Sequence, residues 1–478
     1  MNSVKKNFTY NIVYQILILI IPLITAPYIS RVIGAEGQGI YSYTYSIAQY
    51  FVLFAMLGLN NYGNRTIAKI RDDKEKLSKE FWSIYGLQII TTTIMLILYI
   101  TYIIFWDSSY KLYNTIQLVY VFSAMFDINW FFFGMEKFKL TVIRNTIIKI
   151  LSACSIFIFV KSKNDLVLYM LIMVGASLIS QLSLWTFLRK YIFFVKPTWN
   201  SIKKHIKPNA ILFVPVIAVS IYKMMDKIML GNMSNISNVG YYENAEKIIN
   251  IPNSIITALG TVMLPRMSNL VANGNNTKIE QYINKSMKFI LFLSVPIAFG
   301  LIAIGKNFAP LFFGENFVKT GEIIQYLAIT LVFISWANVI RTQYLIPNEK
   351  DKSYIISVFL GAIINFVINS LLIPKYNAIG AAIGTIFAEM VVMIYQTYTV
   401  RKELSIKKYF KYLLKFLVSA LIMYLIIIQF ERIIENKYIL IFTQIMLGAL
   451  IYFTINYKYI LENIKEIIHK KRKIEGNI

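Results

Sequence analysis

Between Phe8 and Tyr457 the chain alternates apolar runs of about 20 residues with polar connections no longer than about 22. A helix rises about 1.5 Å per residue, so each run matches the roughly 30 Å hydrocarbon core of a bilayer. No water is available there to satisfy an open backbone, and a lone segment of this length meets that demand as a helix. The pattern predicts an all-α polytopic membrane protein with about fourteen transmembrane helices. Composition agrees: 57% of the 478 residues are hydrophobic and 15% charged, with a mean hydropathy of +0.57. Soluble domains carry about 25% charged residues. The first run, from about Phe8 to Ser30, follows Lys5 and Lys6 and is too long for a signal-peptide core, so it reads as the first membrane helix.

The formal charge of +25 would point to nucleic acid in a soluble chain. Here the cations fall in alternate connections: about 34 Lys and Arg on one side of the membrane against about nine on the other. The positive-inside rule then places both termini in the cytoplasm of a multi-pass protein of the cell membrane. The excess charge is read as topological retention and attraction to anionic membrane lipids, with no nucleic-acid partner. Cys154 is the sole cysteine, and His205 and His469 lie far apart, so no disulfide, metal site or cofactor is predicted. No G-x-x-x-x-G-K-[ST] loop is present for a nucleotide-driven pump. A membrane glycosyltransferase or ligase would need carboxylates on an outer loop, and the longest, about Lys306 to Gly321, brings Glu315 as its carboxylate inside that stretch. The chain reads as a carrier and not an enzyme.

Two stretches echo each other. YISRVIGAEGQGIYSYTYS runs from Tyr28 to Ser46, and DKIMLGNMSNISNVGYYENAEK from Asp226 to Lys247. A cation precedes a glycine in each (Arg31 and Gly34; Lys227 and Gly231), and a second glycine and tyrosine follow (Gly39 and Tyr41; Gly240 and Tyr242). GMEKFKLTVIRN from Gly134 pairs likewise with PNEKDKSYIISV from Pro347. Two echoes in one order predict a parallel repeat about an axis along the membrane normal. The expected organisation is a six-helix lobe over 1–190, a linker over 191–207, a second six-helix lobe over 208–400, and two further helices with a basic tail over 401–478. Pro27 and Pro215 are expected bend points.

The segment FDINWFFFGMEKFKLTVIRN, Phe126 to Asn145, carries a D-I-x-W-F-F-x-G-x-E-x-F pattern. With YISRVIGAEGQGIYSY it closely resembles the polysaccharide transporter family of the MOP exporter superfamily, the Wzx-type repeat-unit flippases. That resemblance implies transport of undecaprenyl-diphosphate-linked oligosaccharide to the outer leaflet, for capsule, O-antigen or exopolysaccharide. It leaves room for proton or sodium coupling and for a polysaccharide polymerase as partner. The alternative is a MOP-fold exporter of another substrate, either a drug/cation antiporter or a peptidoglycan-precursor flippase.

Ionisable groups inside apolar runs cost about 2.5–3.5 kcal/mol each on insertion scales, so they are the site candidates. Lys149 in the fifth run and Asp127 in the fourth are placed to meet at one depth, as an ion pair locking the hairpin or as part of a site in which Lys149 and Arg144 face a diphosphate. Lys223, Asp226 and Lys227 share a helix face, opposed by Glu243, Glu246 and Lys247 on the next helix; this cluster suits a gate, substrate contacts or proton coupling. Arg31 joins the substrate-binding candidates. Glu389, near the middle of the twelfth run, is the candidate coupling group.

Overall fold

The computed structural model describes residues 2–107, 109–462 and 465; described side chains begin at Ile20 and exclude 215, 218, 219 and 221–223. Pro215 and Lys223 therefore lie outside the described side chains, and His469 outside the described residues. The described chain is helical, without strands, and eleven helical stretches, some joining consecutive helices, are long and apolar enough to cross a membrane. It is a multi-pass membrane protein.

Helix α1, Asn2–Met56, has 55 residues, about 80 Å at helical rise and far more than one bilayer crossing requires. It is two arms meeting at Gly34, whose φ of +78° and ψ of 179° break the helix. Helical geometry continues through Pro27, so the break falls seven residues beyond the proline expected to bend the chain. Helices α2 (Leu59–Ile70), α3 (Lys74–Phe105) and α4 (Lys111–Ser123) follow. Asp73 starts α3 by accepting the backbone N–H of Lys76 at 3.1 Å. The apolar run expected to continue to about residue 133 breaks instead: a short tight turn over Ala124–Phe126 and an extended Asp127 separate α4 from α5 (Asn129–Gly134). Beyond lie α6 (Phe138–Phe159), α7 (Leu166–Leu188), the short α8 (Trp199–Lys203), α9 (Ile206–Met233) and α10 (Ile236–Ala272).

The second half of the chain continues with α11 (Asn276–Phe313), α12 (Val318–Ala328), α13 (Thr330–Ile340), α14 (Asp351–Tyr376), α15 (Ala378–Val400), α16 (Ile406–Ile427) and α17 (Lys437–Ile455). A π turn over Arg341–Leu345 closes α13. Glu136 and Glu349, at corresponding places in the echoed turns, both adopt the left-handed φ of 55°.

The chain divides into two compact units: Met1–Lys247 with Ala362–Gly384, and Ile248–Gly361 with Thr385–Ile478. The first has a core of Phe81, Ile84, Trp130, Phe131, Phe132 and Leu184, supported by Leu59 and Ile67 of α2. In the second, one face of α11 is buried through Ile283, Met287, Ile290, Leu291 and Val295, and α16 and α17 pack against that helix. The Tyr452 hydroxyl of α17 donates to the Phe292 carbonyl at 3.0 Å. Opposite faces of α16 and α17 display Leu414, Phe442 and Leu450, an apolar surface that suits lipid.

Candidate functional site

The signature segment is a broken helix whose open backbone is closed by side chains. Asp127 accepts the Asn129 backbone N–H at 3.0 Å and the Asn129 side-chain amide at 2.6 Å, which starts α5. The Gln88 amide of α3 donates to the carbonyls of Ala124 at 2.8 Å and Asp127 at 2.9 Å. Gln88 Oε1 in turn accepts the Trp130 indole N–H at 3.0 Å. Irregular backbone at membrane depth persists where protein supplies such partners. The Trp130 ring lies where a Cβ on Gly63 would stand, at 2.5 Å, and Gly134 rests as closely on Ile67. Glu136 pairs with Arg71 at 2.7 Å. Asp, Trp, Gly and Glu of the motif thus each hold the turn to α2 and α3.

Arg144 extends this scaffold. It donates to the Ser180 carbonyl at 2.6 Å, to Asn129 Oδ1 at 3.0 Å and to Asn145 Oδ1 at 2.6 Å. Asp127 is thereby linked to Arg144 through Asn129. Lys149 lines a cavity of about 330 Å³ inside the first unit, with Tyr41, Tyr45, Gln117, Tyr120 and Asn145. Tyr41 and Tyr45 stack with centroids 5.7 Å apart, and the Tyr45 and Tyr120 hydroxyls lie 3.3 Å apart. Gln117 is fully buried, and neither of its amide atoms has a hydrogen-bond partner. Sequence reasoning passed over Gln117 and Gln88; the available signal was an amide set inside an apolar run.

The second charged cluster assembles as a network. Lys227 bridges Glu243 at 2.6 Å and Glu246 at 2.8 Å, and Lys247 reaches Glu243 at 3.5 Å. Ser42 of α1 donates to Glu243 at 2.9 Å. Two cations and two carboxylates, all half-buried, neutralise one another here. Asp226 turns elsewhere: it accepts the Tyr242 hydroxyl at 2.8 Å and the Asn369 amide at 2.6 Å.

The echoed segments cross beside this network. A Cβ on Gly39 would lie 2.0 Å from the Ile236 carbonyl oxygen, and one on Gly240 would lie 2.0 Å from that of Ala35. Each glycine therefore meets the backbone four residues before its counterpart, a reciprocal contact that only missing side chains permit. Gly231 is covered in the same way by the Tyr43 ring, whose hydroxyl donates to Asn232 at 2.6 Å. Arg31 is exposed on α1. Glu389 is buried on α15 in the second unit. No group of three or more metal-ligating side chains occurs among the described residues.

The chain is similar to known membrane transporters and flippases. Residues 4–271, more than half of the chain, match the family described as "Polysaccharide biosynthesis protein", and residues 212–371 match MatE. A putative O-antigen transporter of Shigella dysenteriae is 24% identical over 383 residues, which span 80% of this chain and 96% of that protein. Capsular polysaccharide biosynthesis protein CapF of Staphylococcus aureus is 22% identical over 396 residues, 81% of this chain and 97% of its own. In fold the chain is similar to lipid II flippase MurJ in an inward closed conformation, with a TM-score of 0.79 at 18% identity, covering 96% of this chain and 99% of that one. The protein belongs to the polysaccharide biosynthesis family of membrane transporters within the MOP superfamily.

Proposed function

We propose that this protein is a flippase that carries undecaprenyl-diphosphate-linked oligosaccharide repeat units from the inner to the outer leaflet of the cytoplasmic membrane, for a surface polysaccharide. The observation that carries the reading is the likeness to an O-antigen transporter over nearly that protein's whole length. Physical chemistry makes such a carrier necessary. A sugar hydroxyl moved into hydrocarbon without a partner costs about 4–8 kcal/mol on the cyclohexane scale, so a whole repeat unit needs a polar path. The cavity around Lys149 supplies part of one.

In this reading the two arms of α1 and helix α9 join the eleven apolar helices to give fourteen spans, with both termini cytoplasmic. Residues 1–190 and 208–400 act as lobes that rock about the linker 191–207, and 401–478 is an appendage. The Gly39–Gly240 crossing and the Ser42–Glu243–Lys227 network form a gate, which the close reciprocal contact supports. Lys227, Lys247 and Arg31 lie along the head-group path, and buried Glu389 couples transport to an ion gradient. Full gradient-dependent transport by a Glu389→Gln protein would remove the coupling role.

Deletion of the gene in its own cell tests the main reading. Complete lipid-linked repeat units should accumulate on the cytoplasmic face while surface polymer is lost. Normal polymer with altered drug tolerance would move the protein to the antiporter class.

A further inference from the structure

We propose that the strap between α7 and α9, residues 189–207, is a binding surface for anionic phospholipid headgroups, with Phe194 and Trp199 set into the lipid interface as anchors. The inference goes beyond the flippase reading: it concerns a resident membrane lipid and not the cargo.

Depth is the first argument. From Phe81 to Trp106 the chain carries no charged residue, while Lys76, Lys79 and Glu80 stand just before it, so α3 enters hydrocarbon near Phe81. The strap is fastened at that border. The Phe193 backbone N–H donates to the Ser78 hydroxyl at 3.3 Å, and the Phe193 carbonyl accepts the Trp82 indole N–H at 2.9 Å. Ile192 and Ile202 turn inward and are buried. His205, also buried, lies 3.2 Å from Glu80 and 2.7 Å from the Tyr62 hydroxyl. Both ends of the strap are therefore held against the start of α3, at headgroup level.

The outward face supplies the second argument. Phe194 is 69% exposed and Trp199 59%, and the Phe194 ring leans edge-on against Trp82 with centroids 4.9 Å apart. Large rings left open at this depth match the aromatic belt at a membrane–water interface. Charge decides the class of lipid. Arg189, Lys190, Lys196, Lys203 and Lys207 are exposed beside the rings, and residues 189–207 contain no Asp or Glu. Lys204 is the cation that answers Glu80. Rings and cations together, without a carboxylate of their own, complement a layer of phosphates over acyl chains, and an anionic headgroup more than a zwitterionic one.

The test uses the full chain in nanodiscs that hold phosphatidylcholine and phosphatidylglycerol in equal amounts, one of the two dibrominated near the glycerol end of its chains. Trp199 emission is isolated as the difference between the native and Trp199→Phe proteins. Both brominated lipids should quench it, brominated phosphatidylglycerol about threefold more strongly, within the roughly fivefold that one engaged lysine gives. That preference should largely vanish in molar salt and in a Lys196→Gln/Lys203→Gln protein, while quenching itself persists. Thermal unfolding shows that each variant is folded; the salt series on the native chain carries the test should the double variant fail to fold. Trp199 emission untouched by either lipid would overturn the assignment and turn the strap toward a protein partner. Equal quenching by the two lipids, or a preference indifferent to salt and to both lysines, would overturn it as well. None of these readouts involves transport, so their failure leaves the flippase reading standing, and unaffected polymer after gene deletion leaves the strap.

Discussion

The signature turn at Asp127–Phe138 and the cavity wall around Lys149 belong to the same unit, yet they treat polar groups in opposite ways. In the turn, Gln88 closes two helix carbonyls and the Trp130 indole, Asp127 is held by Asn129, and Glu136 is paired with Arg71. In the wall, Gln117 is buried with neither amide atom bonded. A polar group answered inside the protein builds the fold; one buried without a partner costs stability. The most recognisable sequence motif is accordingly scaffold.

Substitutions should separate the two regions by sign as well as by size. Trp130→Ala removes a fully buried ring seated on Gly63 and should cost about 3–5 kcal/mol, seen as a large fall in the unfolding temperature of the detergent-purified protein. A small fall would mean that the turn repacks freely and is not the scaffold described. Gln88→Leu should cost about 1–3 kcal/mol in the same assay, because it strands the Trp130 N–H and the carbonyls of Ala124 and Asp127.

In the wall the direction reverses. Gln117→Leu removes two unsatisfied atoms and should leave stability unchanged or raise it by about 1 kcal/mol. Loss of stability there would erase the contrast. The smallest effect belongs to neither region. Glu403, in the connection before α16, is bonded to Lys350 at 2.6 Å. Burial works to raise its pKa, but Lys350 and Tyr344 outweigh burial and hold the carboxyl below its usual range. A depressed pKa adds stability above the unfolded value, about 4.3, and that stability is lost as pH falls through the folded value. The pair is partly exposed, so Glu403→Gln should cost about 0–1 kcal/mol at neutral pH and nothing in strong acid.

The sequence made the membrane helices legible because a run of about 20 apolar residues has few other fates. It also flagged Asp127, Trp130, Lys149 and the charged groups from Asp226 to Lys247. What it concealed was pairing. Asp127 stood out as a charge inside an apolar run, but that Asn129, two residues on, holds its carboxylate is not visible to hydropathy. The break at Asp127 was hidden because the apolar run continues through Phe131–Phe133, and hydropathy does not register a missing backbone hydrogen bond. The echo of Gly39 and Gly240 was visible as text. That each glycine faces the other's helix is a fact of three dimensions. Gln117 carried no legible signal beyond its polarity, since burial without a partner is defined by neighbours on other helices.

The most direct test of the account is translocation by the purified protein. Proteoliposomes would carry a fluorescent undecaprenyl-diphosphate oligosaccharide, with leaflet sidedness read by a membrane-impermeant quencher. The account predicts protein-dependent exchange of this lipid between leaflets and none of an unrelated labelled phospholipid. Oligosaccharide that stays in its original leaflet, in vesicles whose protein is folded and correctly inserted and energised by an imposed proton or sodium gradient, would contradict it.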